Sequence, residues 1–337
     1  MSKVLSVVIP TYNMEALLAR CLDSFIVDDI YMDQLEVIIV NDGSKDRSSA
    51  IAHEYENRYP QTFKVIDKEN GNYGSCVNRG LKEANGKYFK ICDADDRYDT
   101  ESLQEFIPFL AAAQSDIVFS PYKTLDFESN EKSSLTPVEK YIGRTLDIED
   151  VDWQSPEVLS YRAMHAMCVR TEILKENNCK LTEGISYTDT EFIFYSILCS
   201  RTCSFFTRPI YLYYLGRDGQ TMSPASMVKS HMHFYIIAKK LLDDYVKLPE
   251  DIGKRKQDLL FRSVMAVISP FVSISLLCIR DNKQQIKLFK ELIAESATSV
   301  LNCPVEERLL EQRYYRVWKK YHIPSYLLQI YMKISRR

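Results

Sequence analysis

Along residues 5–120 the chain alternates between two kinds of apolar pattern. Leu5-Ser6-Val7-Val8-Ile9, Leu35-Glu36-Val37-Ile38-Ile39-Val40, Phe63-Lys64-Val65-Ile66, Tyr88-Phe89-Lys90-Ile91-Cys92 and Asp116-Ile117-Val118-Phe119-Ser120 are short runs rich in β-branched and aromatic residues, bounded by turn formers. They predict buried strands. Between them, Met14–Ile26 carries Leu17, Leu18, Cys21, Leu22 and Phe25 at helical spacing. Ser44 offers an N-cap for a helix to about Tyr59, Ser75–Ala84 predicts a third helix, and Asp99 or Thr100 caps a fourth, to about Ala113. Strands alternating with helices of this length predict βαβ units, hence an α/β fold with a mostly parallel sheet flanked by helices.

After Tyr122 the pattern changes. Residues 123–155 are polar and acidic and predict loops with short strands, and Val158–Val169 mixes strand and helix signals. Thr188-x-x-Glu191, ahead of the apolar run Phe192–Leu198, has the form of a capping box. Asp189 then lies in the first helical turn, where the positive end of the helix dipole favours its ionised form. Phe205–Leu215 predicts a strand, and from about Ala225 the pattern is helical to the end. The expected division is 1–224, α/β, and 225–337, a C-terminal helical subdomain. Within the latter, Leu259–Ile279 approaches the roughly 20 apolar residues of a membrane span. Arg262, Pro270 and four serines interrupt it, which favours a buried helix.

Composition narrows the class. The chain has 337 residues, 46% of them hydrophobic, enough for a large core, and its net charge of −3 argues against wholesale nucleic-acid binding. Nine cysteines occur without a C-x-x-C pair, and Met1-Ser2-Lys3-Val4 leads straight into a strand rather than a signal sequence. Reduced thiols in a cytoplasmic protein are the expectation. The loop after the first strand, Pro10-Thr11-Tyr12-Asn13, holds no glycine, so it cannot be a dinucleotide-binding G-x-G-x-x-G turn. Neither a phosphate-binding G-x-x-x-x-G-K-[ST] loop, a G-x-S-x-G elbow nor an H-E-x-x-H site occurs. His231 and His233, on one predicted helix, do not share a face.

The stretch with chemistry is Asp93-Ala94-Asp95-Asp96, at the end of the fourth predicted strand. Three carboxylates within four residues repel one another unless a cation intervenes, and a hard divalent ion is the simplest remedy. An extended backbone would aim Asp93 and Asp95 at one point and Asp96 the other way. A solvated acidic turn capping the next helix would carry the same residues. The loops after the first, second and fourth strands converge on one crevice of such a sheet, which brings Thr11, Tyr12, Asp42, Asp93 and Asp95 together.

With those loops in place the chain resembles the inverting, family-two glycosyltransferases of GT-A fold. The resemblance rests on Val7-Val8-Ile9-Pro10-Thr11-Tyr12-Asn13, Ile39-Val40-Asn41-Asp42-Gly43-Ser44-Lys45-Asp46, Asn70-Gly71-Asn72-Tyr73-Gly74 with Asn78-Arg79-Gly80, and Asp93-Ala94-Asp95-Asp96, in the family's order and spacing. A weaker match runs from Thr188-Asp189 to Arg217-Asp218-Gly219-Gln220-Thr221.

The resemblance implies a hexosyl-transferring enzyme that uses a nucleotide-sugar donor, UDP-linked, in polysaccharide or glycoconjugate synthesis. Pro10, Thr11, Tyr12, Asn13, Asp42, Asn78, Asp93, Ala94 and Arg217 would contact the donor, with Thr11, Tyr12 and Asp42 on uracil and ribose. Asp95, with Asp93, would bind Mn²⁺ or Mg²⁺ at the diphosphate. Asp189 would be the general base of a single displacement. The family commonly has Glu where this chain has Thr188, so Glu191 is the stand-in candidate. It also often has Gly where this chain has Asn72. The acceptor would be a glycan or a lipid-linked chain, and an oligomer is compatible with all of this. Residues 308–337 mix Arg and Lys with Tyr314, Tyr315, Trp318, Tyr321, Tyr326 and Tyr331, a pattern that suits either peripheral contact with an anionic membrane at its inner face or packing against the protein itself. Two other classes compete: a nucleotidyltransferase, which needs a glycine- and lysine-rich first loop, and a non-catalytic nucleotide-sugar or glycan-binding protein.

Overall fold

In the computed structural model, which describes residues 2–126, 128–216 and 223–334, the apolar runs become strands buried on both faces. β1 (Leu5–Thr11) and β2 (Leu35–Asn41) expose almost nothing, as a strand covered by helices on each side must. With β3 (Phe63–Asp67) and β4 (Tyr88–Ile91) they form a parallel quartet in the order β3-β2-β1-β4. The connecting helices are α1 (Leu18–Asp23), α2 (Asp29–Met32), α3 (Ser48–Arg58) and α4 (Asn72–Glu83). The chain continues through β5 (Arg97–Tyr98), α5 (Thr100–Ala112), β6 (Ile117–Phe119), β7 (Tyr122–Asp126), β8 (Glu131–Ser134) and β9 (Leu146–Asp147). It then forms α6 (Pro156–Leu159), β10 (Met167–Arg170), α7 (Thr171–Glu176), α8 (Asp189–Cys199), β11 (Thr202–Phe205) and β12 (Tyr211–Leu215).

Among the described residues these strands make two sheets, β3-β2-β1-β4-β10-β6-β11-β9 and β5-β12-β7-β8. The larger sheet departs from parallel at β10, which runs antiparallel to both β4 and β6. One core cluster joins Val7, Ile9, Val37 and Ile39 of the sheet to Leu18, Leu22 and Phe25, and to Phe106 and Leu110 of α5.

Several predicted elements differ from those observed. α1 spans only Leu18–Asp23, because Met14 N–H and Glu15 N–H donate to Ser48 and Asp46 rather than entering a helix. α3 starts at Ser48, and Ser44 does not cap it; its hydroxyl accepts from Asn13 N–H at 3.0 Å. Asp99 caps α5 as expected, accepting from Ser102 N–H at 2.9 Å. The single strand expected over Phe205–Leu215 is two, in different sheets, broken around Pro209, which has no N–H to give to a ladder.

The chain divides into two compact units, Met1–Asp218 and Gly219–Arg337. The second is helical: α9 (Pro224–Lys229), α10 (His231–Tyr245), α11 (Lys254–Leu277), α12 (Lys283–Ser296), α13 (Val305–Leu310), α14 (Arg313–Tyr321) and α15 (Ser325–Ile334). α11 is long and apolar enough to cross a membrane, and 67% of its apolar window is buried in the fold. α14 turns its aromatic face inward: Tyr314, Tyr315 and Trp318 are buried, with Trp318 edge-on to Phe289 at 5.3 Å between centroids. Tyr321, Tyr326 and Tyr331 remain exposed. Half of the aromatic set that suited either a membrane or the protein itself is therefore spent on packing.

Candidate active site

The site forms where β1, β2, β3 and β4 end along one edge of the sheet. Parallel register sets Thr11 beside Asn41, and Asn41 beside Asp67. β4 stops earlier, with Ile91 beside Val8, so Asp93 lies deeper in the crevice than the neighbouring loops.

The first two loops are laced together. Asn13 N–H donates to Ser44 Oγ (3.0 Å), Asn13 Oδ1 accepts from Lys45 N–H (2.8 Å), and Glu15 accepts from Arg47 N–H (3.0 Å). This lacing holds Asn13 at φ 53°, in the left-handed region that Asn tolerates better than most residues. Asp42 is buried, and its Oδ1 accepts from Lys68 Nζ at 2.6 Å and from Gly71 N–H at 2.9 Å. Thr11 is also buried, and its hydroxyl donates to Ile9 O at 3.1 Å. Tyr12 is exposed. Of the donor residues expected in these loops, Tyr12 and Asn13 face outward, whereas the Thr11 and Asp42 side chains hold the loops in shape.

The acidic stretch does not continue the strand. Asp96 N–H donates to Asp93 O at 3.0 Å, closing a turn. Asp96 is therefore not on the opposite side from Asp93: the turn brings the two carboxylates near each other, because residues i and i+3 of such a turn approach. Arg20 donates to Asp95 O at 2.7 Å, and Tyr211 Oη accepts from Asp93 N–H at 3.1 Å while donating to Asp96 Oδ2 at 2.6 Å. Asp96 also accepts from Tyr214 N–H at 2.7 Å and is buried, so its carboxylate braces the turn.

His165 completes the cluster. β10 pairs antiparallel with β4, Val169 beside Phe89 and Arg170 beside Tyr88. His165 lies in a single 3-10 turn (Met164–Ala166) just before β10, as Asp93 lies just past β4, so the pairing of the two strands brings them to the same edge. Ligating atoms of Asp93, Asp96 and His165 lie within 4.8 Å of one another. Burial, with the Lys90 charge, pushes the imidazole down to about 3, so it is neutral and able to ligate a metal. Lys90 Nζ donates to His165 O at 2.6 Å, and Tyr213 stacks on the ring at 4.3 Å between centroids.

Burial pushes Asp93 up to about 7, helped by the charges of Asp95 and Asp189, while the Tyr73 hydroxyl opposes the rise by donating to Asp93 Oδ1 at 2.9 Å. Burial likewise raises Asp96, with Asp93 and Asp95 adding to it. Carboxylates that penalise one another's charge, beside a neutral imidazole, are a donor set suited to a divalent cation.

Asp189 reaches this cluster from the start of α8. Its connecting segment is fastened to α4: Asn78 Nδ2 donates to Leu181 O (2.9 Å) and to Glu183 Oε1 (2.9 Å), Asn78 Oδ1 accepts from Leu181 N–H (2.8 Å), and Gly184 N–H donates to Gly71 O (2.8 Å). A side chain at Gly74 would put Cβ 2.2 Å from Thr182 O, so only glycine allows this approach. Asn72, where the family often has Gly, holds φ 63° at the head of α4, and Tyr187 holds φ 70° just before Asp189. A bulky residue in that region costs about 1–3 kcal/mol and is held there by its surroundings.

The expected capping box does not form. Thr188 makes no side-chain cap, and Glu191 turns instead to Thr182, accepting from its N–H and its hydroxyl, each at 2.6 Å. Glu191 is thereby engaged in holding the segment, which removes the stand-in candidate for the base. The helix dipole does not dominate at Asp189 either: burial raises it above the usual carboxylate range, and the amides of Asp189 and Thr190 only partly offset this. Asn78, expected to line the donor pocket, commits its amide to the 181–183 segment. Pro10 is half-buried and Ala94 buried. Arg217 and Gln220 lie outside the described residues. Local sequence pattern does not mark His165, Tyr73, Lys68 or Tyr211 as contributors; for His165 the signal is the β4–β10 pairing, which no local pattern encodes.

The fold and this acidic edge cluster can be set beside known proteins. The family model of glycosyl transferase family 2 matches residues 6–168, so this part of the chain resembles the family-two glycosyltransferases, and the fold is of GT-A type. It is 28% identical over 255 residues to the minor teichoic acid biosynthesis protein GgaB of Bacillus subtilis, covering 72% of this chain and 26% of that protein. It is 29% identical over 224 residues to the poly(ribitol-phosphate) beta-glucosyltransferase of Bacillus spizizenii, covering 66% of this chain and 34% of that one. The chain thus spans about a quarter to a third of the length of these curated relatives. Among solved structures, S. aureus TarS 1-349 in complex with UDP-GlcNAc superposes with a TM-score of 0.65 at 19% identity, over 93% of this chain and 87% of that one, a likeness of fold.

Proposed function

We propose that the chain is a metal-dependent, inverting glycosyltransferase that moves a sugar from a UDP-linked donor to a hydroxyl of a polymeric acceptor. The observation that supports this most is the delivery of Asp189, from a segment fastened to α4, into the charge field of Asp93. Asp93, with Asp95 as the resemblance implies, would hold Mn²⁺ or Mg²⁺; the donor atoms that the fold itself groups within 4.8 Å are those of Asp93, Asp96 and the neutral His165 imidazole. When bound, such a cation supplies Lewis-acid neutralisation of the departing diphosphate.

Asp189 takes the proton of the acceptor hydroxyl, and its raised basicity suits that task. The hydroxyl oxygen bonds to the anomeric carbon as the bond from that carbon to the diphosphate oxygen breaks on the opposite face. An α-linked donor then yields a β product, the anomer in the name of the B. spizizenii relative. That relative's name also carries the acceptor class we assign, a ribitol-phosphate type polymer.

The test is calorimetry of UDP, GDP and dTDP with and without Mn²⁺, on wild type and Asp95→Ala, followed by transfer assays on Asp189→Asn. UDP binding that needs both Mn²⁺ and Asp95 is expected. Asp189→Asn should bind UDP normally and lose about 10²–10⁴-fold in turnover. A wild type that binds none of the three nucleotides in a metal-dependent way, or a fully active Asp189→Asn, would overturn the assignment.

A further inference from the structure

On the far side of α4 from the β1 core, the structure holds an open cavity of about 550 Å³ between α4, α7 and the segment leading to α8. Lys68, Arg79, Lys82, Lys175 and Lys180 line it, against Glu183 as the lining carboxylate. Lys68 is paired with Asp42 and Arg79 with Glu83, yet cations still outnumber carboxylates when both partners are counted in full. In a chain of net charge −3 this is a local reversal of sign. Lys175 Nζ is held by the carbonyls of Ala84 (2.7 Å) and Lys82 (3.3 Å), which fix its position without cancelling its charge. Lys82 and Lys180 are exposed, and Lys180 meets Glu183 at 3.9 Å.

We propose that this groove is a track for the anionic backbone of the acceptor, a polyol chain joined by phosphodiesters, and that it holds the polymer while the reacting hydroxyl reaches Asp189. This rests on the glycosyltransferase reading above. The cations are spread over two helices and two loops rather than converging on one point, which suits a chain of repeating charges better than a single phosphate. The groove touches both halves of the site. Lys68 bonds Asp42 at the donor loops, and Lys180 and Glu183 sit on the segment that ends at Asp189.

The experiment compares wild type, Lys82→Glu/Lys180→Glu and a control of equal charge change in the helical unit, Lys254→Glu/Lys287→Glu. A fluorescent ribitol-phosphate oligomer and a neutral oligosaccharide of equal length are titrated by anisotropy across salt concentrations, and UDP by calorimetry. The groove variant should bind the anionic oligomer at least about tenfold more weakly. Its log–log salt dependence should be shallower by about 1.4, for two lost phosphate contacts at about 0.7 each on a flexible chain. UDP affinity and the control variant should match wild type. Equal oligomer binding by the groove variant, an equal loss in the control, a parallel loss of UDP affinity, or preference for the neutral oligosaccharide would each overturn the proposal. Wild type that binds UDP but not the oligomer sinks the groove alone, whereas failure of both ligands sinks the glycosyltransferase reading with it.

Discussion

Gly74→Ala tests whether the α4 contact positions the base. An added Cβ would sit 2.2 Å from Thr182 O and 3.1 Å from its carbonyl carbon, and both are backbone atoms that cannot rotate away. Restoring an ordinary contact requires the 181–184 segment to withdraw by about 1 Å, and Asp189 is carried at its end. Displacements of about that size cost about 10²-fold in rate when they misplace a reacting group. Stability should change less. Alanine gains about 1 kcal/mol over glycine in a helix, while overpacking costs about 1–3 kcal/mol, so the net loss lies between nothing and about 2 kcal/mol. The assay is turnover at saturating donor and acceptor, alongside urea denaturation and UDP calorimetry. Gly80→Ala is the comparison, because its Cβ would strike the Val8 side chain at 2.4 Å, in the core rather than at the segment. It should lose stability while its folded fraction keeps its turnover. A Gly74→Ala protein that gains about 1 kcal/mol and turns over at the wild-type rate would refute the contact and the positioning argument built on it.

Tyr73→Phe removes the donor to Asp93 Oδ1, so Asp93 should rise further and Mn²⁺ affinity should fall about 10–100-fold, read by metal titration of UDP binding. Glu191→Gln should keep transfer within about tenfold of wild type, because the carboxylate holds Thr182 instead of taking the acceptor proton. It should lose about 1–3 kcal/mol in stability, since one Thr182 donor then faces an amide N–H; a folded variant as inactive as Asp189→Asn would make Glu191 the base. His53 is raised by its hydrogen bond to Asp67 (2.9 Å) and by Glu56 (2.8 Å). The stabilisation is therefore complete below the unfolded value near 6.5 and is lost as pH rises through the higher folded value. His53→Gln should flatten the melting temperature across that window. The effect stays within about 1 kcal/mol because the ring is 42% exposed, and it shrinks in high salt. An unchanged pH slope would remove the pair from consideration.

The parts of this site that could be read in the sequence are those whose meaning is local. β1, β2 and β4 announce themselves by short, mostly apolar runs, and a carboxylate just past such a run must sit at a sheet edge. Asp42, Asp93 and Asp95 follow from that reasoning alone. The turn at Asp93–Asp96 escapes it, because an extended and a turned backbone suit the same four residues until Tyr211 and Arg20 arrive from distant strands and helices to brace one of them. His165 escapes for the same reason: its place at the same edge as Asp93 comes from an antiparallel strand inserted between β4 and β6. At Thr188 and Glu191 local reasoning misleads. A capping box is the best use of those residues for an isolated helix, but Glu191 finds two stronger donors on Thr182, nine residues back. The groups proposed to do chemistry are thus placed by short-range pattern and the groups that hold them by pairings such as Asn78 with Leu181, 103 residues apart. Substitutions at the holding residues should therefore alter turnover without touching any residue that a motif search would mark.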